Sequence, residues 1–585
     1  MPAIPNFVLK RLYVKGSLAN TADGCELKLR NFVGSGTLTR LFSVEVDGRN
    51  HLPDVLSVTL PGGETRTGES VTPEKPLVLA SGVAVAIRLR GARLAPGAHA
   101  VKVRILTGEM GQLEIGLSDS VAEKPAEEAP EAASRSTASD RAPEPQSVSR
   151  QLKIAIIGAG SAVFARQLMT DILTTPGLTR GTFALVDVDA DRLSLAKRIG
   201  EKMALASGKS WQVEATRDRR KALPGCDYVI SCIEVAGLRN VRNDYDIPLR
   251  YGVDQCIGDT IGPGGIFKML RTGPAWLEIL DDVEQLCPRA IVMNYTNPMS
   301  ALTLLALRAT SVRVVGLCHS VQGTSQQLAD YLDLPAAELR WRCAGINHLA
   351  WFTELTHKGR DMYPLLRKRS EDPEVWDADP VRFEMMKHFG AFCTESSGHM
   401  SEYIPYFRKK PALVTQYTRG GYRGESGFYA NNWPAWRAGG DDSIRELLDG
   451  RSPLALQRSE EFASTIIQAI ECGRPAVIHG NVLNAGLVDN LPGDGCVEVP
   501  VLADSSGLSP IHFGPLPAQL AALDRAHMAV HGLMVDAVMR RDLEAARHAL
   551  LLDPLTAAVC SPAEVAAMFD EMVSAEREDL RYFGE

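Results

Sequence analysis

The chain contains 585 residues, too many for a single hydrophobic core, so we expect two or three domains. The formal net charge of -8 arises from charges of both signs, and this balance disfavours nucleic acid as a partner. The N-terminal stretch lacks the apolar core of a signal peptide, and no apolar run reaches the length of a membrane span. We therefore expect a cytoplasmic protein that has no membrane partner and binds a small or neutral ligand.

The first part of the chain, residues 1–118, has the pattern of an all-β domain. Short runs of alternating polar and apolar residues are bounded by Gly, Pro and Asn, without helical periodicity. This pattern predicts a small β-sandwich, which we interpret as an accessory domain. Residues 119–150 are rich in Ala, Pro, Glu and Ser and contain no aromatic residue, so they are predicted to form a disordered linker.

From residue 151 onward, buried strands alternate with helices. Apolar residues at every fourth position after the first strand, Phe164, Leu168 and Ile172, indicate a helix face. The later strands are FALVDVD, DYVISCIE, AIVMNYTNP and VRVVGLCH. This α/β alternation predicts a Rossmann-like, doubly wound parallel sheet over residues 151–340. Residues 341–585, which turn helical from Leu516, are predicted to form an α+β substrate domain.

The first strand of this domain ends in the glycine turn GAGS. Gly158, Gly160 and Ser161 precede a helix, where a backbone without large side chains can approach a pyrophosphate. Asp187 ends the next strand, where a carboxylate can accept both ribose hydroxyls and repel a 2'-phosphate, which favours NAD over NADP. Val163 replaces the third glycine of the fingerprint. The alternative is that Gly158 only packs helix on sheet and Asp187 only caps a turn.

Polar residues follow the strands at the sheet edge where ligands bind in a doubly wound fold. They occur in three loops, residues 257–267, 293–300 and 317–322. A fourth stretch, 344–352, places Asn347 and His348 inside an otherwise apolar extended run. If the Cys318 thiolate and the His348 imidazole meet in one pocket, they form a good site for a divalent metal, and softness alone favours zinc. The alternative for His348 is a core histidine with satisfied ring nitrogens.

Six motifs occur in order between about Leu152 and the C-terminus: GAGSAVFARQLMTDIL, IGDTIGPGGIFKMLRT, MNYTNPMSALT, VVGLCHSVQGT, AGINHLAWFTEL and TESSGHMSEYIPYF. Together they resemble glycoside hydrolase family 4, the NAD- and metal-dependent glycosidases. The resemblance implies a fold like that of lactate and malate dehydrogenases, with NAD and Mn2+ as cofactors. It also implies a homo-oligomer, commonly a dimer or tetramer.

The resemblance implies roles for the residues that match the family motifs. Cys318 and His348 would be the ligands of Mn2+. Asp259 in IGDT, a catalytic-site carboxylate, and Asn297 in NYTNP would bind sugar hydroxyls near the metal. Tyr403 in SEYIPYF matches the proposed general base. The alternatives are that Asn297 is a turn residue before proline and that Tyr403 is a core aromatic.

The chemistry of the family explains why a glycosidase would need NAD. The cofactor takes hydride from C3 of the sugar, the tyrosine removes the proton on C2, and the C1 substituent leaves. Water then adds and the hydride returns, so that no net oxidation occurs.

The residues after the metal cysteine point to the sugar. His319, Ser320 and Val321 resemble the α-galactosidase branch, whereas 6-phospho-glucosidases commonly carry Asp or Asn followed two positions on by proline. We therefore expect a non-phosphorylated, α-galactoside-like hexoside. His319 either protonates the leaving group or only orients a ligand, and Asn347 is expected to bind substrate. Gly398 in TESSGH stands where the resemblance to that branch leads us to expect Glu, and the loss of a carboxylate there could alter the preference for the sugar or the aglycone.

Alternatives remain for both parts of the chain. Residues 1–118 resemble, in β pattern and in ELKLRNF, the small subunit of C-glycoside deglycosidases, or they form a carbohydrate-binding or oligomerisation module. The remainder could be an NAD-dependent 2-hydroxyacid or sugar dehydrogenase, although a catalytic Arg and His would then be expected. It could also be a non-catalytic NAD sensor, or a glycosidase for α-glucuronides or for β-, S- or C-glycosides.

Overall fold

The computed structural model describes residues 12–584, apart from residues 15, 22, 31–35, 61–64, 74, 80–83, 108–110, 122–147 and 149. The residues described up to 121 form one compact unit, and almost all of those from 148 onward form a second. Most of the predicted linker lies outside the described residues. Its first three residues belong to the first unit, because Asp119, Ser120 and Val121 continue the pairing of the last strand with its neighbour. The predicted boundary at residue 118 therefore falls inside a strand.

The first unit is built from short antiparallel strands. Its described strands are β1 (Ala19–Asn20), β2 (Gly24–Arg30), β3 (Gly36–Val46), β4 (Arg49–His51), β5 (Leu56–Thr59), β6 (Thr65–Thr67), β7 (Leu77–Leu79), β8 (Ala84–Arg90), β9 (Gly97–Thr107) and β10 (Gly111–Val121). They form two sheets, with the orders β1-β2-β8-β5-β6 and β10-β9-β3-β4, and β7 pairs with β3.

Alternation along the strands gives this unit its core. In β8, Val85, Ile87 and Leu89 are buried, whereas Arg88 and Arg90 between and after them are exposed. Period-two burial of this kind leaves one face of each sheet apolar, and two such faces pack against each other in a sandwich. The predicted all-β fold is confirmed.

The second unit contains one large sheet. Its strands are β11 (Leu152–Ile157), β12 (Arg180–Val186), β13 (Ser210–Thr216), β14 (Tyr228–Ser231), β15 (Ile291–Asn294), β16 (Arg313–Gly316), β17 (Leu339–Ile346), β18 (Leu349–His357), β19 (Arg360–Asp361), β20 (Phe392–Cys393), β21 (Ala476–Leu483), β22 (Cys496–Asp504) and β23 (Gly507–Pro510). The order is β13-β12-β11-β14-β15-β16-β21-β22-β17-β18-β19, with β20 on β18 and β23 on β22.

The α-helices in the described residues all follow residue 150. They are α1 (Ala162–Thr174), α2 (Ala190–Ala206), α3 (Arg219–Ala222), α4 (Gly237–Arg250), α5 (Gly262–Leu286), α6 (Met299–Ala309), α7 (Ser320–Tyr331), α8 (Tyr363–Arg369), α9 (Pro373–Ala378), α10 (Pro380–Phe389), α11 (Ser397–Tyr403), α12 (Pro411–Tyr417), α13 (Phe428–Asp449), α14 (Ala463–Cys472), α15 (Ala518–Arg540), α16 (Leu543–Leu552), α17 (Pro554–Val559) and α18 (Pro562–Ala575). None of these helices combines the length and apolar character needed to cross a membrane.

The first six strands of the second unit are parallel and follow the Rossmann order, with β11 and β14 at the centre. Both faces of β11 are buried: Ile154 and Ile156 join one apolar core, and Ala155 and Ile157 join the other. Strands covered by helices on both faces read as continuous apolar runs, which is why the pattern was visible in the sequence. The predicted doubly wound parallel sheet is confirmed.

The predicted substrate part shares this sheet. Antiparallel β21 pairs with β16 through Asn481 and Gly316, and β22 then links β21 to β17. The predicted division at residue 340 falls inside β17, and both parts belong to one compact unit. A continuous sheet buries the edge that β16 would otherwise expose, so no interface between two separate domains forms there.

Candidate functional site

The carboxyl ends of the parallel strands bring the predicted loops together. The glycine turn follows β11, Asp187 follows β12, the loop with Asn297 follows β15, and Cys318 follows β16. Because β11 and β14 run in the same direction but their crossovers lie on opposite faces, a crevice opens at this edge of the sheet. The candidate site lies in this region.

The glycine turn is held close to the strands beside it. Gly158 has a φ of +91°, and a Cβ atom there would lie 2.4 Å from the carbonyl oxygen of Cys232. Gly160 donates its backbone N–H to Asp187 Oδ2 at 2.6 Å. Ser161 is the N-cap of α1 but makes no side-chain cap, so it does not cover the first-turn N–H groups. These features fit a phosphate-binding turn.

Asp259 and Asn297 are in contact although they come from different loops. Asn297 Nδ2 donates to Asp259 Oδ2 at 3.0 Å, and Thr260 Oγ1 donates to Asp259 Oδ1 at 2.7 Å. Lys268 Nζ lies 3.7 Å from Asp259 and 2.8 Å from Glu234. Burial alone would raise the pKa of Asp259, but the charge of Lys268, assisted by a nearby histidine, lowers it to about 2. Asp259 is therefore a fixed carboxylate.

The loop that carries Asp259 is fixed by a second carboxylate. Glu402, which is 4% exposed, accepts hydrogen bonds from the backbone N–H groups of Cys256, of Ile257 at 2.5 Å and of Gly258 at 3.2 Å. Sequence reasoning missed Glu402 and Lys268, because their partners lie far away in the chain and no local pattern indicates them.

Cys318 and His348 meet at the edge of the sheet. Cys318 Sγ lies 3.4 Å from His348 Nε2, and His348 Nδ1 is buried without a hydrogen-bond partner. Asn347 and His348 form a two-residue turn between β17 and β18, not part of an extended run as the sequence predicted, and His348 has a φ of +63°. Left-handed backbone at a histidine is strained, and such strain is concentrated at functional positions. Burial, assisted by the neighbouring His399, lowers the pKa of His348 to about 4, so the ring is neutral as a metal ligand requires.

His399 and Glu395 extend this cluster, and sequence reasoning did not single them out. The rings of His348 and His399 lie 4.4 Å apart, and the ligand atoms of His348, Glu395 and His399 lie within 4.8 Å of one another. His399 Nδ1 is 3.1 Å from Glu395, although not in hydrogen-bond geometry. Burial opposes protonation of His399, but Glu395 raises its pKa to about 9. Both residues lie in the motif TESSGH, but Glu395 precedes α11 and has a φ of +75°, so no helical spacing in the sequence indicates their contact.

Tyr403 lies beside the histidine cluster. It is 1% exposed, its hydroxyl has no hydrogen-bond partner, and its ring centroid lies 6.4 Å from His399 and 6.5 Å from His348. His527 packs on its other side, with ring centroids 4.9 Å apart. Burial, together with Asp259 and other carboxylates, raises the pKa of the phenol well above 10. A cation bound close to the phenol would act in the opposite direction.

His319 lies beside the buried cluster but is largely exposed. Its Nδ1 lies 3.1 Å from Glu461 Oε1, and 65% of the side chain is exposed. The hydrogen bond to Glu461 raises the pKa of His319, although solvent screens much of this effect. An exposed imidazole held by a carboxylate can donate or accept a proton at the mouth of the site.

Asn347 is buried next to an unexpected carboxylate. Its side-chain nitrogen and oxygen form no hydrogen bond, and neither do the two oxygens of Glu498 on β22. Burial, and to a lesser degree Cys318, raises the pKa of Glu498 well above its usual range, while Asn347 lowers it. Buried polar atoms without partners are rare in native proteins and indicate that a ligand, ion or water satisfies them.

The structure explains why position 398 is occupied by glycine. A Cβ atom at this position would lie 2.4 Å from the backbone oxygen of Tyr422 and 3.0 Å from Cys256 Sγ. The glutamate that the family resemblance led us to expect here would not fit unless Tyr422 moved. The segment that carries Tyr422 can therefore take its observed position only because residue 398 has no side chain.

The fold and the site together define an α/β enzyme built on a nucleotide-binding sheet. Two family models match it: Family 4 glycosyl hydrolase over residues 153–334, and Family 4 glycosyl hydrolase C-terminal domain over residues 343–556. An alpha-galactosidase of Bacillus subtilis is 39% identical, over 72% of this chain and 98% of its own length. The chain belongs to the family 4 glycosyl hydrolases.

The chain is also similar to glycosidases with other substrate names. An alpha-galacturonidase of Bacillus subtilis is 30% identical, over 72% of this chain and 97% of its own length. A 6-phospho-alpha-glucosidase from gut microorganisms, solved in complex with NAD and Mn2+, has a TM-score of 0.62 at 20% identity and covers 74% of this chain and 99% of its own. This structural likeness confirms the fold.

A separate model, Hydroxymethylglutaryl-CoA reductase N-terminal domain, matches residues 8–122. This range corresponds to the sandwich and not to the part with the candidate site. The resemblance of the sandwich to a deglycosidase subunit stays a prediction.

Proposed function

We propose that the protein hydrolyses non-phosphorylated α-galactosides and uses NAD and a divalent metal, Mn2+. The observation that carries this proposal is the meeting of Cys318 and His348 at 3.4 Å on the sheet whose glycine turn and Asp187 form the nucleotide loop. The identity of 39% to an alpha-galactosidase supports the choice of sugar.

The charges beside Asp259 favour a neutral sugar. The cavity there is lined by two cations, Lys268 and Arg271. Lys268 is paired with Glu234 and Asp259, and Arg271 is paired with Asp244 and with Glu576. Among the described residues that line this cavity, no side-chain cation is left for the phosphate of a 6-phospho-sugar or the carboxylate of a galacturonide. A galactoside carries no anionic group, so it needs no such cation.

The glycine turn and the cysteine–histidine cluster fit the two cofactors. The pyrophosphate of NAD would approach Gly158 and Gly160, with the adenosine ribose at Asp187. Cys318 and His348 would hold the metal, because a half-buried thiol and a neutral imidazole with an unsatisfied nitrogen suit a transition metal. When bound, NAD supplies a reversible hydride acceptor, and the metal supplies a Lewis acid beside the sugar oxygens.

The remaining residues would handle the substrate. Asp259 and Asn297 would bind sugar hydroxyls, because they form one fixed pair of acceptor and donor. Asn347 would bind the substrate with its two unsatisfied side-chain atoms. We assign removal of the proton on C2 to Tyr403, whose hydroxyl has no protein partner, and protonation of the leaving oxygen to His319 at the exposed side of the site.

Activity assays on matched sugars test this proposal. Purified protein is given the nitrophenyl α-glycosides of galactose, glucose, galacturonic acid and 6-phosphoglucose, with and without NAD and Mn2+. We expect cleavage of the galactoside only when both cofactors are present. Net formation of NADH would instead indicate a dehydrogenase, and NAD binding without turnover would indicate a sensor. Preferred cleavage of the galacturonide or of the phosphorylated sugar would contradict the substrate choice.

We also propose a cytoplasmic location and a homo-oligomeric state. All eleven cysteines are free, as expected in a reducing compartment. Sedimentation of the full chain measures the oligomeric state directly. We further propose that residues 1–121 are an accessory domain joined by a linker to the catalytic part.

A further inference from the structure

Five aromatic residues form a cluster next to the candidate site. Their rings belong to a single segment, and we call them the aromatic platform: Tyr422, Phe428, Tyr429, Trp433 and Trp436. The rings of Tyr422 and Trp436 are nearly parallel, 18° apart with centroids at 6.1 Å, and those of Tyr429 and Trp433 are 17° apart at 5.3 Å. Phe428 packs edge-on against Tyr422 at 4.8 Å and against Trp436 at 5.1 Å.

Part of the platform faces solvent. Tyr422 is 53% exposed and Trp436 is 41% exposed, which is unusual for rings that already pack against other rings. Tyr429 and Trp433 instead line the cavity beside Asp259 and Lys268. The platform therefore reaches from the catalytic carboxylate to the protein surface.

Backbone contacts fix the platform to the loop that carries Asp259. The N–H of Gly427 donates to the carbonyl of Gln255 at 2.8 Å, and the N–H of Tyr429 donates to the carbonyl of Cys256 at 3.0 Å. Because Glu402 also binds backbone N–H groups of this loop, Asp259 and the rings are held in place relative to each other. The platform cannot move away without disturbing the site.

Gly398 allows this arrangement. Its missing side chain lets the backbone oxygen of Tyr422 approach, where a Cβ atom would be only 2.4 Å away. Gly398 directly precedes His399, whose ring packs against that of His348. The glycine at this position thus permits an aromatic residue at the mouth of the site.

Four polar side chains of this segment each have a partner within the protein. Glu425 Oε2 accepts from the N–H of Gly421 at 2.7 Å, and Ser426 Oγ donates to Asp254 at 2.7 Å. Asn431 Oδ1 accepts from Arg242 at 2.7 Å, and Asn432 donates to the carbonyl of Phe428 at 2.8 Å. A second sugar bound here would need free donors and acceptors around its rim, whereas a flat apolar ring needs only the exposed ring faces.

We propose that the aromatic platform is the leaving-group subsite and that it binds an aromatic aglycone by stacking. This inference rests on the proposed glycosidase activity and adds the class of leaving group. Trp436 and Tyr422 would provide the contact surface, and Gly398 would be the residue that permits it.

Three α-galactosides that share one sugar test the subsite: the phenyl galactoside, the methyl galactoside and a disaccharide of galactose α-linked to glucose. We measure kcat/KM for each in the native protein and in Trp436→Ala, Trp436→Phe and Tyr422→Ala. We expect the ratio of phenyl to methyl galactoside to fall about threefold to tenfold in Trp436→Ala and Tyr422→Ala, mainly through KM. Trp436→Phe should retain most of the ratio. Comparing ratios between variants cancels the better leaving ability of phenol.

Tyr406→Ala is the matched control, because Tyr406 is 42% exposed but packs against Phe389 and Phe407 outside the platform. Its ratio should equal that of the native protein. Equal losses for phenyl and methyl galactoside would mean that the rings only support the loop, and a larger loss for the disaccharide would mean a sugar subsite. A change of sedimentation in Trp436→Ala would mean a subunit interface. Each of these results overturns the inference, whereas failure of the native protein to cleave even methyl galactoside would instead overturn the proposed activity.

If Tyr422→Ala does not fold, Trp436→Ala still decides the question, since its ring lies on the surface of α13. Binding of phenyl galactoside to the native protein should also quench tryptophan fluorescence more than methyl galactoside does. Equal quenching by the two ligands would contradict a stacking subsite.

Discussion

Cys318 Sγ and His348 Nε2 lie 3.4 Å apart, although the strands before them, β16 and β17, are separated in the sheet by β21 and β22. The contact forms because Cys318 follows the end of one strand and His348 occupies the turn at the end of another. The left-handed backbone of His348 is strained, but it places the imidazole next to the thiol of Cys318. The two proposed metal ligands therefore lie at the edge of the sheet where cofactors bind in this fold.

Removal of the metal should therefore abolish activity. We expect a chelator to lower the rate of galactoside hydrolysis by about a hundredfold or more, because a Lewis acid supplies several kcal/mol of stabilisation. Added Mn2+ should restore the rate of the native protein but not that of Cys318→Ser. Calorimetric titration with Mn2+ should show weakened binding in that variant.

Cys560→Ser is the control for this experiment. Cys560 Sγ donates to the carbonyl of Tyr251, and a serine hydroxyl can keep that hydrogen bond. Its activity and its Mn2+ affinity should match the native values. Full activity of metal-free Cys318→Ser would remove Cys318 from the ligand set.

Tyr403→Phe should separate proton removal from cofactor binding. The hydroxyl forms no hydrogen bond in the protein, so its loss should leave stability almost unchanged. If Tyr403 removes the C2 proton, hydrolysis in heavy water should place deuterium at C2 of the released sugar. The variant should slow both exchange and hydrolysis by about a hundredfold or more.

Proton NMR of the product measures the C2 label, and a fluorescence titration checks NAD affinity. Tyr228→Phe is the control, because Tyr228 is also buried but its hydroxyl donates to Glu471 outside the site. Product without label at C2, formed without any need for NAD, would contradict the oxidation and elimination mechanism.

Asp187→Ala should weaken the binding of NAD by about tenfold, the loss expected for one or two hydrogen bonds to ribose. It should also reduce the discrimination against NADP, because the carboxylate no longer repels a 2'-phosphate. Asp189→Ala is the matched control: Asp189 caps α2 by accepting from the N–H groups of Asp191 and Arg192. That variant should lose about 1 kcal/mol of stability and keep its NAD affinity. The reverse pattern would exclude Asp187 from the nucleotide site.

Much of the fold could be read from the sequence, because the strands of a doubly wound sheet are continuous apolar runs. The edge strand β13 was missed, since only one of its residues, Trp211, is buried and its pattern is mostly polar. The shared sheet was also missed, because β21 and β22 join β16 through pairings between distant parts of the chain.

In the candidate site, too, contacts between distant parts of the chain could not be predicted from the sequence. Residues inside distinctive motifs, such as Cys318 and Asn297, could be named in advance, and the structure brings them to one edge of the sheet. Lys268 and Glu402 could not, because their importance comes from ion pairs and backbone contacts with residues of other elements. Asn347 and His348 read as part of a strand because their neighbours are apolar, whereas the turn depends on a left-handed backbone that sequence patterns rarely reveal.

The linker between the two units should be the first site of proteolysis in the full chain. Residues 122–147, between the last strand of the sandwich and Val148, have too little apolar content in their sequence to form a core, so a protease at low concentration should cut there first. Two stable pieces should result, and the piece that begins near Gln151 should keep NAD binding and hydrolysis. A chain that resists cleavage throughout this stretch would mean that the linker is docked. Loss of hydrolysis with NAD binding retained would instead indicate that the sandwich helps to shape the active site.

Asp553 provides a test of stability against pH. It is fully buried, and its Oδ1 caps α17 by accepting from Thr556 N at 2.9 Å and Thr556 Oγ1 at 2.7 Å, while Oδ2 has no partner. Burial raises its pKa to about 6. The folded protein therefore binds a proton that the unfolded chain, with a pKa of about 4, has already released at mildly acidic pH. The stability that this proton contributes is complete below about pH 4 and is lost as the pH rises through about 6.

Asp553→Asn keeps an acceptor for the cap but carries no charge at any pH. We expect it to be more stable than the native protein at pH 8 by on the order of 2 kcal/mol, with the difference fading at pH 4. Denaturant unfolding followed by tryptophan fluorescence measures this, because all seven tryptophans lie after residue 150. Asp542→Asn, at the half-buried cap of the preceding helix α16, should show no such pH-dependent gain. A constant difference between Asp553→Asn and the native protein from pH 4 to pH 8 would mean that Asp553 is ionised in the folded state throughout.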